Sequence, residues 1–186
     1  MTFSERYGFK PEKAIQIDDI DNDLRTELWN CLHPYFQRIS HKIVPGSTFF
    51  NGRTFLEVLA DWLWVNVLRK PGDELAKKYK DQVKQLKDYF VSCTWYEAYD
   101  FVESVAQACS KFDAEGLPEF VDACNIVLKR ERSAYRFVDM LIVPVTSEHE
   151  IAGIEGALAA TSATASLNLV NTHLKQALAL LSDRTA

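Results

Sequence analysis

At 186 residues, with 47% hydrophobic and 25% charged side chains, the chain is long enough for one full-sized core and has the composition of a soluble globular protein. Its formal net charge of −5 argues against wholesale coating of nucleic acid or membrane, and leaves room for a local basic patch. Met1 to Lys13 holds no apolar run of the kind a signal peptide needs, so the expected location is cytoplasmic.

Residues 1–20 read as an extended arm whose aromatics, Tyr7 and Phe9 among them, dock it on the body. Asp21 stands where a helix N-cap would, ahead of a stripe of Leu24, Leu28, Cys31, Leu32, Tyr35, Phe36 and Ile39. The run Pro45-Gly46-Ser47 is expected to end that helix, and Asn51-Gly52 marks a tight turn. Next comes the stretch from Thr54 to Leu68. Plotted at about 100° per residue, its large apolar side chains cover nearly the whole circumference, which predicts a hub helix covered by other helices. With Glu57 and Asp61 in it, the stretch is too short and too charged to span a bilayer. Asn66 falls among its inward residues, as a buried amide that specifies packing.

Pro71-Gly72 separates the hub from a charged helix predicted over 73–91. Leu75, Tyr79, Val83, Leu86 and Phe90 lie within about 80° of arc on its inner side. Lys77, Lys80, Lys84 and Lys87 form a second stripe facing water. Another helix opens at Trp95, with Tyr99, Val102, Val105, Ala106 and Cys109 inward, and a further one starts at Gly116-Leu117-Pro118 and runs to about Arg132. The period then changes. Residues 135–138 and 141–145 predict a small β-hairpin across Asp139-Met140, with Pro144 implying an edge. Methionine is a poor choice where such a turn needs positive φ. A short helix from Glu148 to about Ala160, an Ala/Ser/Thr link over 159–166 and a last helix carrying Leu167, Val170, Leu174, Leu178 and Leu181 complete the chain. That last apolar stripe ends without a cap, as expected if a further domain or a partner comes next.

Three capping boxes account for the most suggestive glutamates: Thr54 with Glu57, Thr94 with Glu97, and Ser147 with Glu150. Asp61, Asp100 and Glu103 extend two of these into carboxylate rows, but bundle metal sites also need Glu-x-x-His partners, and none occurs. His33, His41, His149 and His173 have no H-x-x-x-H spacing, and no metal or cofactor is expected. Cys31, Cys93, Cys109 and Cys124 make no C-x-x-C pair and read as thiols packed among hydrophobes. There is no glycine-rich phosphate loop and no nucleophile elbow. The lysine stripe 77/80/84/87 is what remains. Along about 15 Å of helix it could follow a phosphate backbone, while Asp73, Glu74, Asp81 and Asp88 dilute its field.

Several blocks together resemble one family. They are Phe3-Ser4-Glu5-Arg6-Tyr7-Gly8, Leu24-Arg25 with Leu28-Trp29-Asn30, the run from Trp95 to Glu103, the run from Tyr135 to Glu150, and Leu180-Leu181-Ser182-Asp183-Arg184. In this order they are similar to the N-terminal domain of bacterial AbiJ-like abortive-infection proteins. The resemblance implies a phage-defence module that normally precedes a C-terminal HEPN ribonuclease domain. The ribonuclease signature implied by that resemblance is an Arg followed, after four to six residues, by His. Arg25 and His33 are separated by seven residues and Arg38 and His41 by two, so no catalytic residue is carried over. Asp139-Met140 departs from the glycine-bearing turn expected in relatives, which bears on hairpin geometry.

The fold expected is mainly α: a single-core helical domain of about six to seven helices with one small β-hairpin near residues 134–146. It divides into a docked arm (1–20), a helical AbiJ-type domain (21–160) and a C-terminal helix (161–186) leading to a C-terminal domain. The function implied is that of a non-catalytic sensor or regulatory domain that positions or restrains an attached HEPN ribonuclease. Two alternatives stand beside it: an RNA-binding module using Lys77, Lys80, Lys84 and Lys87, and an enzyme with an unrecognised site in the helical core. The partners expected are the HEPN domain, RNA or a phage component, and a second copy of the chain; no membrane is expected.

Overall fold

The computed structural model describes residues 3–9, 13–44, 52–111, 113 and 115–145, together with 170, 172, 173 and 176. The elements are α1 (Phe3–Arg6), α2 (Asn22–Ile39), α3 (Phe55–Trp62), α4 (Tyr79–Ser92), α5 (Trp95–Cys109), α6 (Leu117–Arg130), β1 (Tyr135–Val138) and β2 (Leu141–Pro144). The fold is mainly α. The five longer helices, α2 to α6, are those predicted before residue 132. The two further helices expected, the Ala/Ser/Thr link and the Ser147–Glu150 box lie outside the described residues, except that Val170, Thr172, His173 and Gln176 are helical.

Local chemistry sets the helix starts. Asp21 accepts from the Leu24 amide at 2.8 Å to cap α2. Thr54 and Glu57 form a complete capping box on α3, and Thr94 and Glu97 form another on α5. Pro118 sits in the first turn of α6. α2 stops at Ile39, before the predicted breaker at Pro45, and Ile43 then bridges to Thr54.

The hub is placed differently from expectation. α3 runs only to Trp62 and continues as a π-helix, Leu63–Val67. Leu56, Leu59, Ala60, Leu63, Trp64 and Leu68 are buried, but Trp62 and Val65 are 41% and 45% exposed. The central place belongs to α5, which touches α2, α3, α4, α6, the π-helix and β2. Its buried Ala98 and Ala106 let neighbours approach closely, while Phe101, Val102 and Val105 fill the middle. An aromatic path of Trp29, Phe90 and Phe101 links α2, α4 and α5, with ring centroids 5.7 and 5.5 Å apart.

The arm docks by polar contacts rather than by its aromatics. Phe3, Tyr7 and Phe9 are exposed and pack on one another, Phe3 to Tyr7 at 4.6 Å. Gln16 is buried and forms four hydrogen bonds. Its amide donates to Arg132 O and its carbonyl accepts from the Ala134 amide, both at 2.9 Å. Its side chain donates to Glu131 O and accepts from the Asp21 amide, both at 2.7 Å. Lys13 adds ion pairs to Asp21 and Glu131 at 2.8 and 2.6 Å.

The hairpin is present, antiparallel, with Val138 opposite Leu141. Asp139 and Met140 both take positive φ, 46° and 67°, so the turn is built with methionine where glycine would be unstrained. Asn125 on α6 pins β1, donating to Phe137 O at 3.0 Å and accepting from its amide at 2.7 Å.

Candidate functional site

The lysine stripe breaks at its first member. Gly72–Glu74 form a 3-10 turn, Leu75 is extended, and α4 begins only at Tyr79. The cause is Gln85, which accepts from the Ala76 amide at 2.8 Å and donates to Glu74 O at 2.9 Å, holding that backbone out of a helix. Lys77 therefore precedes α4 and stands apart from the other three. Leu75, Leu86 and Phe90 are buried as predicted, with Tyr79 and Val83 half-buried.

Lys80, Lys84 and Lys87 share one side of α4, within about 60° of arc. They are exposed and form one wall of an open groove of about 510 Å³ between α4 and α2. Trp29, Asn30, His33 and Pro34 make the opposite wall, with Val83 between. The lining carries three ammonium groups and no carboxylate. Asp81 and Asp88 leave α4 about 80–100° round from Lys80 and do not line the groove. Lys87 Nζ lies 6.0 Å from the Trp29 ring centroid, which holds that charge against the wall. Pro34 lies inside α2 and has no amide, so the Asn30 carbonyl loses its usual helical donor at the groove. Trp29, Asn30 and His33 are site residues that the sequence reading misses; their i, i+1, i+4 spacing puts them on one side of α2, and only the packing of α2 beside α4 brings the lysine row opposite them.

A second groove, about 840 Å³, runs between the π-helix and α5 and ends at Met140. Val58, Trp62 and Val65 make it apolar, and Arg53 pairs with Asp61 at 2.6 Å on its edge. Asn66 lies here too. It is exposed, contrary to expectation, and donates to Trp62 O at 3.0 Å.

The remaining chemistry-bearing groups have structural partners. Glu57 closes its capping box, and Glu97 accepts from the Thr94 amide and hydroxyl at 2.8 and 2.7 Å. Those bonds hold the Glu97 carboxyl below its usual pKa range. Glu103 accepts from the Ile142 amide and from Gln107, tying α5 to β2, and burial pushes its pKa up. Burial also raises Asp100, helped by the charge of Glu97.

Cys109 and Cys124 are buried; Cys31 and Cys93 are half-buried, and none is in a disulfide. Burial lifts the Cys109 thiol to about 11, so it stays protonated at neutral pH. The neighbouring Cys124 thiol, on α6, draws the Cys31 thiol of α2 down. Arg25 donates to Cys93 Sγ at 3.5 Å and to Phe90 O at 2.6 Å. Among the described residues no group of three or more His, Cys, Asp or Glu is placed to hold a metal ion. No helix among them is long and apolar enough to cross a membrane.

A model of the family described as AbiJ N-terminal domain 4 matches residues 1–160. Neither a curated protein nor a solved structure matches the chain.

Proposed function

We propose that this chain, which belongs to the AbiJ N-terminal domain 4 family, is the non-catalytic sensor or regulatory domain of a bacterial abortive-infection protein. In that role it positions or restrains an attached HEPN ribonuclease during phage infection. The observation that carries the reading is the family match over residues 1–160, which gives the chain an abortive-infection-related role as an N-terminal domain. It is supported by the employment of Glu57, Glu97 and Glu103, the helical carboxylates best placed to look catalytic, in caps and in the tie between α5 and β2. The proposed partners are the HEPN domain, a phage or RNA component that triggers release, and a second copy of the chain.

The test is a ribonuclease assay of this chain and of the product of a longer reading frame, side by side. Cleavage is expected from the longer product and not from residues 1–186 alone. Activity in the 186-residue chain would sink the proposal.

A further inference from the structure

We propose that the groove between α2 and α4 binds the phosphate chain of a single-stranded polynucleotide, held by Lys80, Lys84 and Lys87. This does not depend on the regulatory role proposed above.

Charge is the first argument. The chain carries a net −5, yet this lining has three exposed ammonium groups and no carboxylate, so it is a local sink for anions on an acidic protein. Spacing is the second. Along the axis of α4 the three lysines rise by about 6 and about 4.5 Å, so successive anions on one strand can each meet an ammonium.

The opposite wall is the third argument. His33 offers an exposed aromatic face beside Pro34 and half-buried Val83, and base faces stack on such a ring regardless of sequence. The Asn30 carbonyl, lacking its helical donor because residue 34 is proline, adds an acceptor suited to a sugar hydroxyl. A space of about 510 Å³ between two helices has room for one or two nucleotides of a strand.

Binding is measured by fluorescence anisotropy with labelled U12 and dT12 oligonucleotides across a salt series. The proteins are wild type, Lys80→Gln/Lys84→Gln/Lys87→Gln, and a control, Lys77→Gln/Lys78→Gln, whose lysines precede the groove helix. Because all five lysines are exposed, circular dichroism should show every variant folded. For wild type, log affinity should fall against log salt with a slope of about −2, as three phosphate contacts require. The triple variant should bind about tenfold or more weakly at low salt, with its slope near zero, while the control stays within about twofold. Tighter binding of U12 than of dT12 would identify RNA as the source of the strand. Equal losses in the triple variant and the control, no binding at low salt, or equal displacement by a polyglutamate peptide of matched charge would each overturn the assignment.

Discussion

Lys42 reaches Asp113 at 2.6 Å, and that carboxylate is only 3% exposed. Arg38 stands behind it at 3.7 Å, so a buried negative charge just after α5 relies mainly on one lysine that follows α2. Removing the lysine strands the charge. Lys42→Met should cost about 2–3 kcal/mol in urea unfolding, and adding Asp113→Asn should recover most of it because an amide carries no charge to bury. If the single and double variants are equally unstable, the pair is not what holds this corner.

Gln16 offers a sharper loss. Its side chain satisfies both Glu131 O and the Asp21 amide from a buried position, so Gln16→Ala leaves two groups short of partners. A destabilisation of about 2–3 kcal/mol is expected, together with faster hydrogen exchange at Asp21 and Ala134. Unchanged exchange at Ala134 would show that the arm is held by something else.

The turn at Met140 works in the opposite direction. A φ of 67° is costly for a side chain with a Cβ, and glycine removes that cost. Met140→Gly should therefore raise stability by up to about 1 kcal/mol, less whatever packing the half-buried thioether supplies. A lower melting temperature would mean that packing outweighs strain.

Thr94→Ala removes one side of the α5 capping box and should cost about 1 kcal/mol. Since Thr94 and Glu97 lie outside the groove lining, oligonucleotide affinity measured below the melting temperature should be unchanged.

Acid should unfold the domain through a small set of carboxylates. Burial pushes Asp21, Asp113 and Glu131 up, but the Leu24 amide and then Lys13 on Asp21, Lys42 on Asp113, and Lys13 on Glu131 hold all three below the usual range. A depressed carboxylate contributes stability that is complete above its unfolded pKa of about 4 and is lost as pH falls through the folded value. Asp100 and Glu103 are raised, and their contribution is lost on the way up from about 4, softening the gain above it. Thermal melts should show stability falling steeply below about pH 4, and Lys13→Ala should flatten that fall. An unaltered acid limb in the Lys13 variant would count against the assignment.

Much of this fold was legible because its instructions are local. A threonine and a glutamate three residues apart, a proline at a helix start and an alternation of period across 134–145 each act within a few residues, and the structure has all of them. Asn66 was misplaced because the π-helix over Leu63–Val67 adds a residue to the turn and shifts the phase of the later side chains by about 100°. Lys77 left the stripe because Gln85, eight positions on, captures the backbone around Ala76, a contact that periodicity does not encode. The groove wall from Trp29 to Pro34 was invisible for a different reason. It becomes a site only when α2 packs beside α4, some fifty residues later in the chain.

The bonds of Gln16 to residues 131–134 carry a consequence for biosynthesis. Its partners leave the ribosome more than a hundred residues after it does, so the opening segment emerges early yet cannot close its hydrogen bonds until α6 is complete. Until then the Gln16 amide groups must remain hydrated, and the nascent helices assemble without their leading strap. Ribosome-bound chains stalled at residue 125 and at residue 186 should differ sharply in protease cleavage near Lys13, the shorter being cut and the longer protected.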